Sequence, residues 1–211
     1  MVRPEENTMH PTERYVQIYC GESKGKTTSS IGLTVRALSY GWKVLAVQFL
    51  KTKEQAFTYL ASLDHNLTVR QFGRDKITLV SNIDEEDIRI IRQAWDFIYA
   101  NYLNGYDMVV LDEVLPALNM RAFNKSELYA FIKSCREHNI ECVMTGRIWS
   151  RHLLAKLIDK ADLVSDIKCR KHYMSKHCTK CDRQFDDYSF THCPYCGNEL
   201  KSVFARKGIE L

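Results

Sequence analysis

The chain has 211 residues, 45% apolar and 27% charged, enough for one globular domain with a small appendage and unlike a disordered, fibrous or repeat protein. Its basic excess lies in the tail: residues 1–167 hold 21 basic and 21 acidic side chains and residues 168–211 hold 9 and 5, too weak a footprint to expect a nucleic-acid partner. Apolar runs of four to seven residues fall short of the roughly 20 that span a bilayer, and Met1–Arg14 has no apolar signal core, so a cytoplasmic location without membrane partners is expected.

Residues 1–13 read as a loose arm. Short Val- and Ile-rich runs at Tyr15–Cys20, Val44–Leu50, Thr68–Phe72, Met108–Leu111, Glu141–Thr145 and Leu163–Lys168 read as buried strands. Between them a helix is expected to begin with Ser29, Ile31, Leu33 and Val35. Further amphipathic helices are marked by Ile88, Ile91, Trp95, Ile98, Tyr99 and Tyr102, by Leu128, Phe131, Ile132 and Cys135, and by Leu153, Leu154, Leu157 and Ile158. Asn124 with Glu127 has the form of a capping box, and Ser150 is placed to cap the next helix. This alternation predicts an α/β fold with a mostly parallel sheet covered on both faces. After Lys168 aliphatic residues give way to Lys, His, Cys, Asp and aromatics. The expected division is therefore an arm over 1–13, a nucleotide-binding domain over 14–170 and a tail over 171–211.

Directly after the first strand stands Gly21-Glu22-Ser23-Lys24-Gly25-Lys26-Thr27-Thr28, which resembles a P-loop. Phosphate oxygens need converging backbone N–H donors, and glycine lets the backbone wrap closely while the following helix adds its positive end. Lys26 would bind phosphate as a point charge and the Thr27 hydroxyl would ligate magnesium. The usual pattern has a further glycine where this chain has Cys20, so the loop is a variant. The bland alternative is a glycine turn with two solvated lysines. Met108-Val109-Val110-Leu111-Asp112-Glu113, a hydrophobic run ending in two carboxylates, resembles a Walker B strand, whose end would reach the loop at the carboxyl edge of a parallel sheet. Taken alone, the two carboxylates read equally well as a solvated turn.

In the tail, Cys178-Thr-Lys-Cys181 and Cys193-Pro-Tyr-Cys196 are separated by eleven residues, the signature of a zinc ribbon. Four thiolates make a closed tetrahedral site with no open position for substrate, so a structural zinc is expected. About 30 residues with Phe185, Tyr188, Phe190 and Leu200 cannot bury a sufficient core without it. His172, His177 and His192 lie nearby. Cys20, Cys135, Cys142 and Cys169 are expected to act as small apolar residues.

Three ordered segments resemble the ATP:corrinoid adenosyltransferases: Gly21–Thr28 with the Gln48-Phe49-Leu50-Lys51 strand end, Val109–Glu113, and Thr145-Gly146-Arg147 with Ala161-Asp162-Leu163-Val164-Ser165-Asp166. They cover roughly residues 15 to 175. The resemblance implies a RecA-like P-loop fold that transfers the 5′-deoxyadenosyl group of ATP to the reduced cobalt of a corrinoid and releases triphosphate. It implies phosphate binding by Gly25, Lys26 and Thr27, magnesium held by Thr27 and Glu113 with Asp112 in support, and added positive charge from Arg147. A homodimer and a reductase or corrinoid-protein partner would accompany it. The loop departs from the family form at Glu22 and Ser23, which put an anion and a Cβ near the phosphates. After the third strand the family's Phe-x-Trp-Glu-Thr segment is missing, and Phe72, Ile77 and Leu79 are the candidate substitutes facing the corrin. Two other classes remain open: a P-loop nucleoside kinase of the zinc-bearing thymidine kinase type, and a non-catalytic nucleotide-sensing module whose ribbon binds a partner.

Overall fold

The computed structural model describes residues 13–53, 56–76, 82–148, 150–168, 174–185, 191–193 and 195–204. Two compact units emerge, Met1–Ile167 and Lys168–Leu211. In the first, β1 (Val16–Cys20), β2 (Val44–Phe49), β3 (Leu67–Phe72), β4 (Met108–Asp112), β5 (Glu141–Thr145) and β6 (Leu163–Asp166) form one parallel sheet in the order β3-β2-β4-β5-β1-β6. Every residue of β2, β4 and β5 is buried, because helices cover both faces. That double burial is why those strands read as unbroken apolar runs. The edge strands β3 and β6 keep exposed residues.

The sheet is flanked by α1 (Lys26–Ser39), α2 (Ala56–Leu63), α3 (Glu85–Asn101), α4 (Val114–Asn119), α5 (Lys125–Glu137) and α6 (Arg151–Ile158). The capping box on α5 forms as expected: the Asn124 side chain accepts from the Glu127 amide and Glu127 accepts from the Asn124 amide. Ser150 caps α6. A second box, Asp84 with Asp87, starts α3. The same N-terminus receives Arg74 and Lys76 from the segment after β3, which pair with both carboxylates. The helix expected with Ser29, Ile31, Leu33 and Val35 forms as α1, and its buried face is Lys26, Ser30, Thr34 and Ala37, with Val35 half exposed. Ser30 and Thr34 are tolerated there because their hydroxyls donate to the carbonyls of Thr27 and Ser30 within the helix. The core centres on Trp95, which stacks on Phe123 with ring centroids 4.2 Å apart and touches Phe131. Cys20, Cys135 and Cys142 are buried and unbridged, as expected of small apolar residues; Cys169 lies outside the described residues.

In the second unit, β7 (Met174–Cys178) pairs antiparallel with β8 (Arg183–Phe185) and β9 (Lys201–Phe204).

Candidate functional site: a phosphate loop and a buried carboxylate hub

The four central strands β1, β2, β4 and β5 leave the sheet on the same edge, and each is followed at once by a residue with positive φ: Gly21 (111°), Leu50 (59°), Glu113 (62°) and Gly146 (136°). This turn sends each chain sharply off the carboxyl edge, where open parallel sheets gather ligands. At β1 the turn must be glycine, since a Cβ on Gly21 would lie 2.4 Å from the Ile167 carbonyl oxygen at the exit of β6. Leu50 and Glu113 carry side chains in the left-handed region, a strain of roughly 1–3 kcal/mol each that concentrates at functional edges.

The phosphate loop runs from Gly21 to the start of α1 at Lys26, with Gly25 (φ 118°) as its N-cap. The first-turn amides of Lys26, Thr27 and Thr28 point out of the helix end, the geometry that receives anions. Ser23 turns its amide the other way, donating to the Ile167 carbonyl at 3.2 Å. Lys26 is buried and donates to the Ser23 carbonyl across the loop. Burial pulls its ammonium below the ordinary lysine range, with Glu113 opposing. Glu22 does not lean into the loop. Its carboxylate pairs with Arg147 at 3.5 Å and its carbonyl accepts from the same guanidinium at 3.0 Å. Arg147 is thereby held beside the phosphate loop, and the anion at position 22 is neutralised.

Asp112 is the hub. It is fully buried, and its carboxylate accepts four hydrogen bonds: Oδ1 from Thr27 (2.8 Å) and Thr145 (2.7 Å), Oδ2 from Gln48 (2.8 Å) and Lys51 (2.6 Å). Burial alone would raise its pKa; the Lys51 ammonium and the other donors outweigh burial and hold the carboxyl below its ordinary value. Four donors use about all the acceptor capacity of a carboxylate, so Asp112 supports the site and is not itself open to a metal. Glu113 is different. Its backbone amide donates to Thr145 Oγ1 at 3.0 Å, while among the described residues no hydrogen bond reaches its carboxylate. Burial first, then Asp112, push its pKa up. A half-buried carboxylate without a donor, adjoining Asp112 to which the Thr27 hydroxyl donates, suits a hard divalent cation with oxygen ligands.

Lys51, Gln48 and Thr145 stood in the segments that carry the family resemblance but were given no site role there, and Gln71, which passes a hydrogen bond to Gln48 at 3.0 Å, was not expected at the site. The available signal was a polar residue at the end of an otherwise buried apolar strand, in Gln48 and Thr145. Phe72 is half-buried at the end of β3 and packs on Phe97 with ring centroids 5.6 Å apart. Ile77 and Leu79 lie outside the described residues.

In the tail unit the Cys178, Cys181, Cys193 and Cys196 sulfurs all lie within 4.8 Å of one another, with close approaches of 3.5 to 3.9 Å. Tetrahedral coordination with metal–sulfur bonds near 2.3 Å requires sulfurs about 3.8 Å apart, so the cluster is shaped to hold a metal ion. Of the nearby histidines, His177 pairs with Asp182 and His192 with Thr191, neither in the cluster. His172 lies outside the described residues.

A strand, a glycine-bearing loop on a helix N-terminus, a second strand ending in carboxylates and the intervening β5 define a RecA-like P-loop nucleotide-binding fold. The solved structure of flagellar accessory protein FlaH from Methanocaldococcus jannaschii shares that fold: TM-score 0.54 at 13% identity, over 72% of this chain and 71% of that one. Residues 12–182 match the model of the ATP:corrinoid adenosyltransferase BtuR/CobO/CobP family, and the chain belongs to that family. A corrinoid adenosyltransferase of Pseudomonas aeruginosa is 30% identical over 161 residues, covering 74% of this chain and 75% of that protein. The one from Sinorhizobium sp. is 27% identical over 163 residues, 72% and 71% of the two chains. A Nostoc sp. protein described as uncharacterized is 26% identical over 179 residues, which is 76% of this chain and 45% of that one. The chain thus spans under half of the Nostoc relative.

Proposed function

We propose that this chain transfers the 5′-deoxyadenosyl group of ATP to the reduced cobalt of a corrinoid. The observation that carries the reading is the family match over 12–182, which encloses the phosphate loop and the Asp112 hub. In the reaction the cobalt(I) lone pair attacks C5′ of ATP, a cobalt–carbon bond forms, the C5′–O bond breaks and its electron pair leaves with the triphosphate. No side-chain nucleophile is needed. The protein holds the leaving group and aligns C5′. The α1 first-turn amides, Lys26 and Arg147 are the donors set to hold the triphosphate, and Glu22 keeps Arg147 in reach until phosphate competes for it. Magnesium, held by Thr27 and Glu113, would neutralise part of the triphosphate charge. Asp112 orients Thr27 from behind.

The reading extends to a catalytic body over 14–170 and a tail over 171–211 whose four cysteines hold zinc in a structural role. We further propose a cytoplasmic homodimer that receives its corrinoid from a reductase or corrinoid-protein partner. Among the described residues no helix is long and apolar enough to cross a membrane.

The test is an anaerobic assay with MgATP and chemically reduced cobalamin, following the corrinoid spectrum and triphosphate together. A cobalt–carbon product with equimolar triphosphate is expected, and Lys26→Met should lower the rate by a factor of about 100 or more. ADP formed on a nucleoside would indicate a kinase instead, and nucleotide binding without turnover a sensing module.

A further inference from the structure

The sharpest unassigned feature of the nucleotide edge is Lys51. Its ammonium lies 2.6 Å from Asp112 Oδ2 and 3.2 Å from Thr27 Oγ1, so it bridges the two oxygens through which the loop and the β4 strand meet. It gets there by strain and close packing. Leu50, in the left-handed region, turns the chain back over the edge immediately before it. Gly73, at the exit of β3, lies so close that a Cβ there would come 2.4 Å from the Lys51 amide nitrogen. Gln71 and Gln48 complete the enclosure, with Gln48 donating to the same Oδ2 as Lys51. The Lys51 side chain is only 18% exposed, unlike the solvated lysine of an ordinary strand end.

We propose that Lys51 is a positioning residue that acts as a tethered counter-cation. It occupies the side of Thr27 and Asp112 that a divalent ion would otherwise take, so the site rejects the free metal and accepts it only with a nucleotide, from the Glu113 side. This inference rests on reading the edge as a nucleotide site. Two acidic side chains, Asp112 and Glu113, adjoin a hydroxyl, a set that would attract a free divalent cation. A fixed positive charge within one ion diameter cancels that attraction. Triphosphate brings its own negative charge and restores it.

The experiment uses the full chain and Mn2+ as the probe. Free Mn2+ is followed by electron paramagnetic resonance without nucleotide, and binding of Mg2+ with a non-hydrolysable ATP analogue by calorimetry. Lys51→Met is expected to bind Mn2+ alone at least about tenfold more tightly than the parent chain, from loss of one charge a few ångströms away. Its affinity for the metal–nucleotide complex should fall, because Thr27 Oγ1 and Asp112 Oδ2 lose the cation that bridges them. Lys51→Arg should keep the parent preference. Leu50→Gly, which keeps every charge but loosens the turn, should move free-Mn2+ binding in the direction of Lys51→Met by a factor of about three, and it decides the matter if Lys51→Met does not fold. Unchanged Mn2+ affinity in the folded Lys51→Met chain, or in Leu50→Gly where only that variant folds, overturns the proposal. If the parent chain binds no nucleotide, the reading of the site fails, while the Mn2+ measurements still decide the role of Lys51.

Discussion

In the body, Trp95 lies flat against Phe123 inside a buried set that includes Phe49, Phe131, Ile91, Ile98, Leu111, Leu115 and Leu128. In the tail unit the buried apolar cluster among the described residues is Cys178, Cys193 and Leu200, with Cys181 and Cys196 packed against it. The body is held by apolar area removed from water; among the described residues of the tail that area is small, and the four sulfurs are placed to hold a metal ion.

The largest effect expected from that contrast is on metal removal. A strong chelator should unfold the tail unit, where a bound metal would contribute on the order of 10 kcal/mol of folding free energy, while the thermal transition of the body stays in place. Amide spectra and calorimetry on the same sample check this, and a body transition that moves with the metal would show the two units to be coupled. Next comes Trp95→Ala, which should cost the body about 3–5 kcal/mol and leave the metal content of the tail at one ion per chain. Trp95→Phe should cost clearly less, since the buried indole N–H has no partner to lose. Smaller again is Asn124→Ala, which removes the α5 cap and should lower body stability by about 1 kcal/mol in denaturant titration.

The smallest is a pH effect. Asp84 caps α3 and accepts from Lys76 and Arg74, whose hydrogen bonds hold its carboxyl well below the ordinary carboxylate range. A carboxyl with a depressed folded-state pKa stabilises above about pH 4, where the unfolded group is also ionised, and that contribution is lost as pH falls towards the folded value. Asp84→Asn should therefore lower the body's stability at pH 7, where the ionised carboxylate contributes in full, and flatten the acid limb of its stability curve below about pH 4. An unaltered limb would assign acid sensitivity elsewhere.

Much of this was legible beforehand. The central strands announced themselves because burial on both faces leaves no room for polar alternation, and Asn124 with Glu127 carried its cap in four residues. The helix α4 did not announce itself. Its six residues are too few to show a helical period, and Pro116 in the first turn gives up only an amide that had no helical partner. The buried face of α1 was not legible because Ser30 and Thr34 hide their hydroxyls in the helix's own carbonyls, which no hydropathy pattern records. Asp84 and Asp87 formed a box with aspartate in the place glutamate usually fills.

The sequence by itself determined the phosphate loop, the alternation of strand and helix, the four-cysteine cluster and the family, because each is written in residues close along the chain or in ordered motifs. Only the tertiary structure decided who stands around Asp112. Thr27 is 85 residues away and Lys51 is 61, and they meet it because β2 and β4 are neighbours while the loop after β1 reaches across β5. Strand order in a parallel sheet is set by how helices pack over its two faces, a property of the whole core that no local stretch of sequence contains.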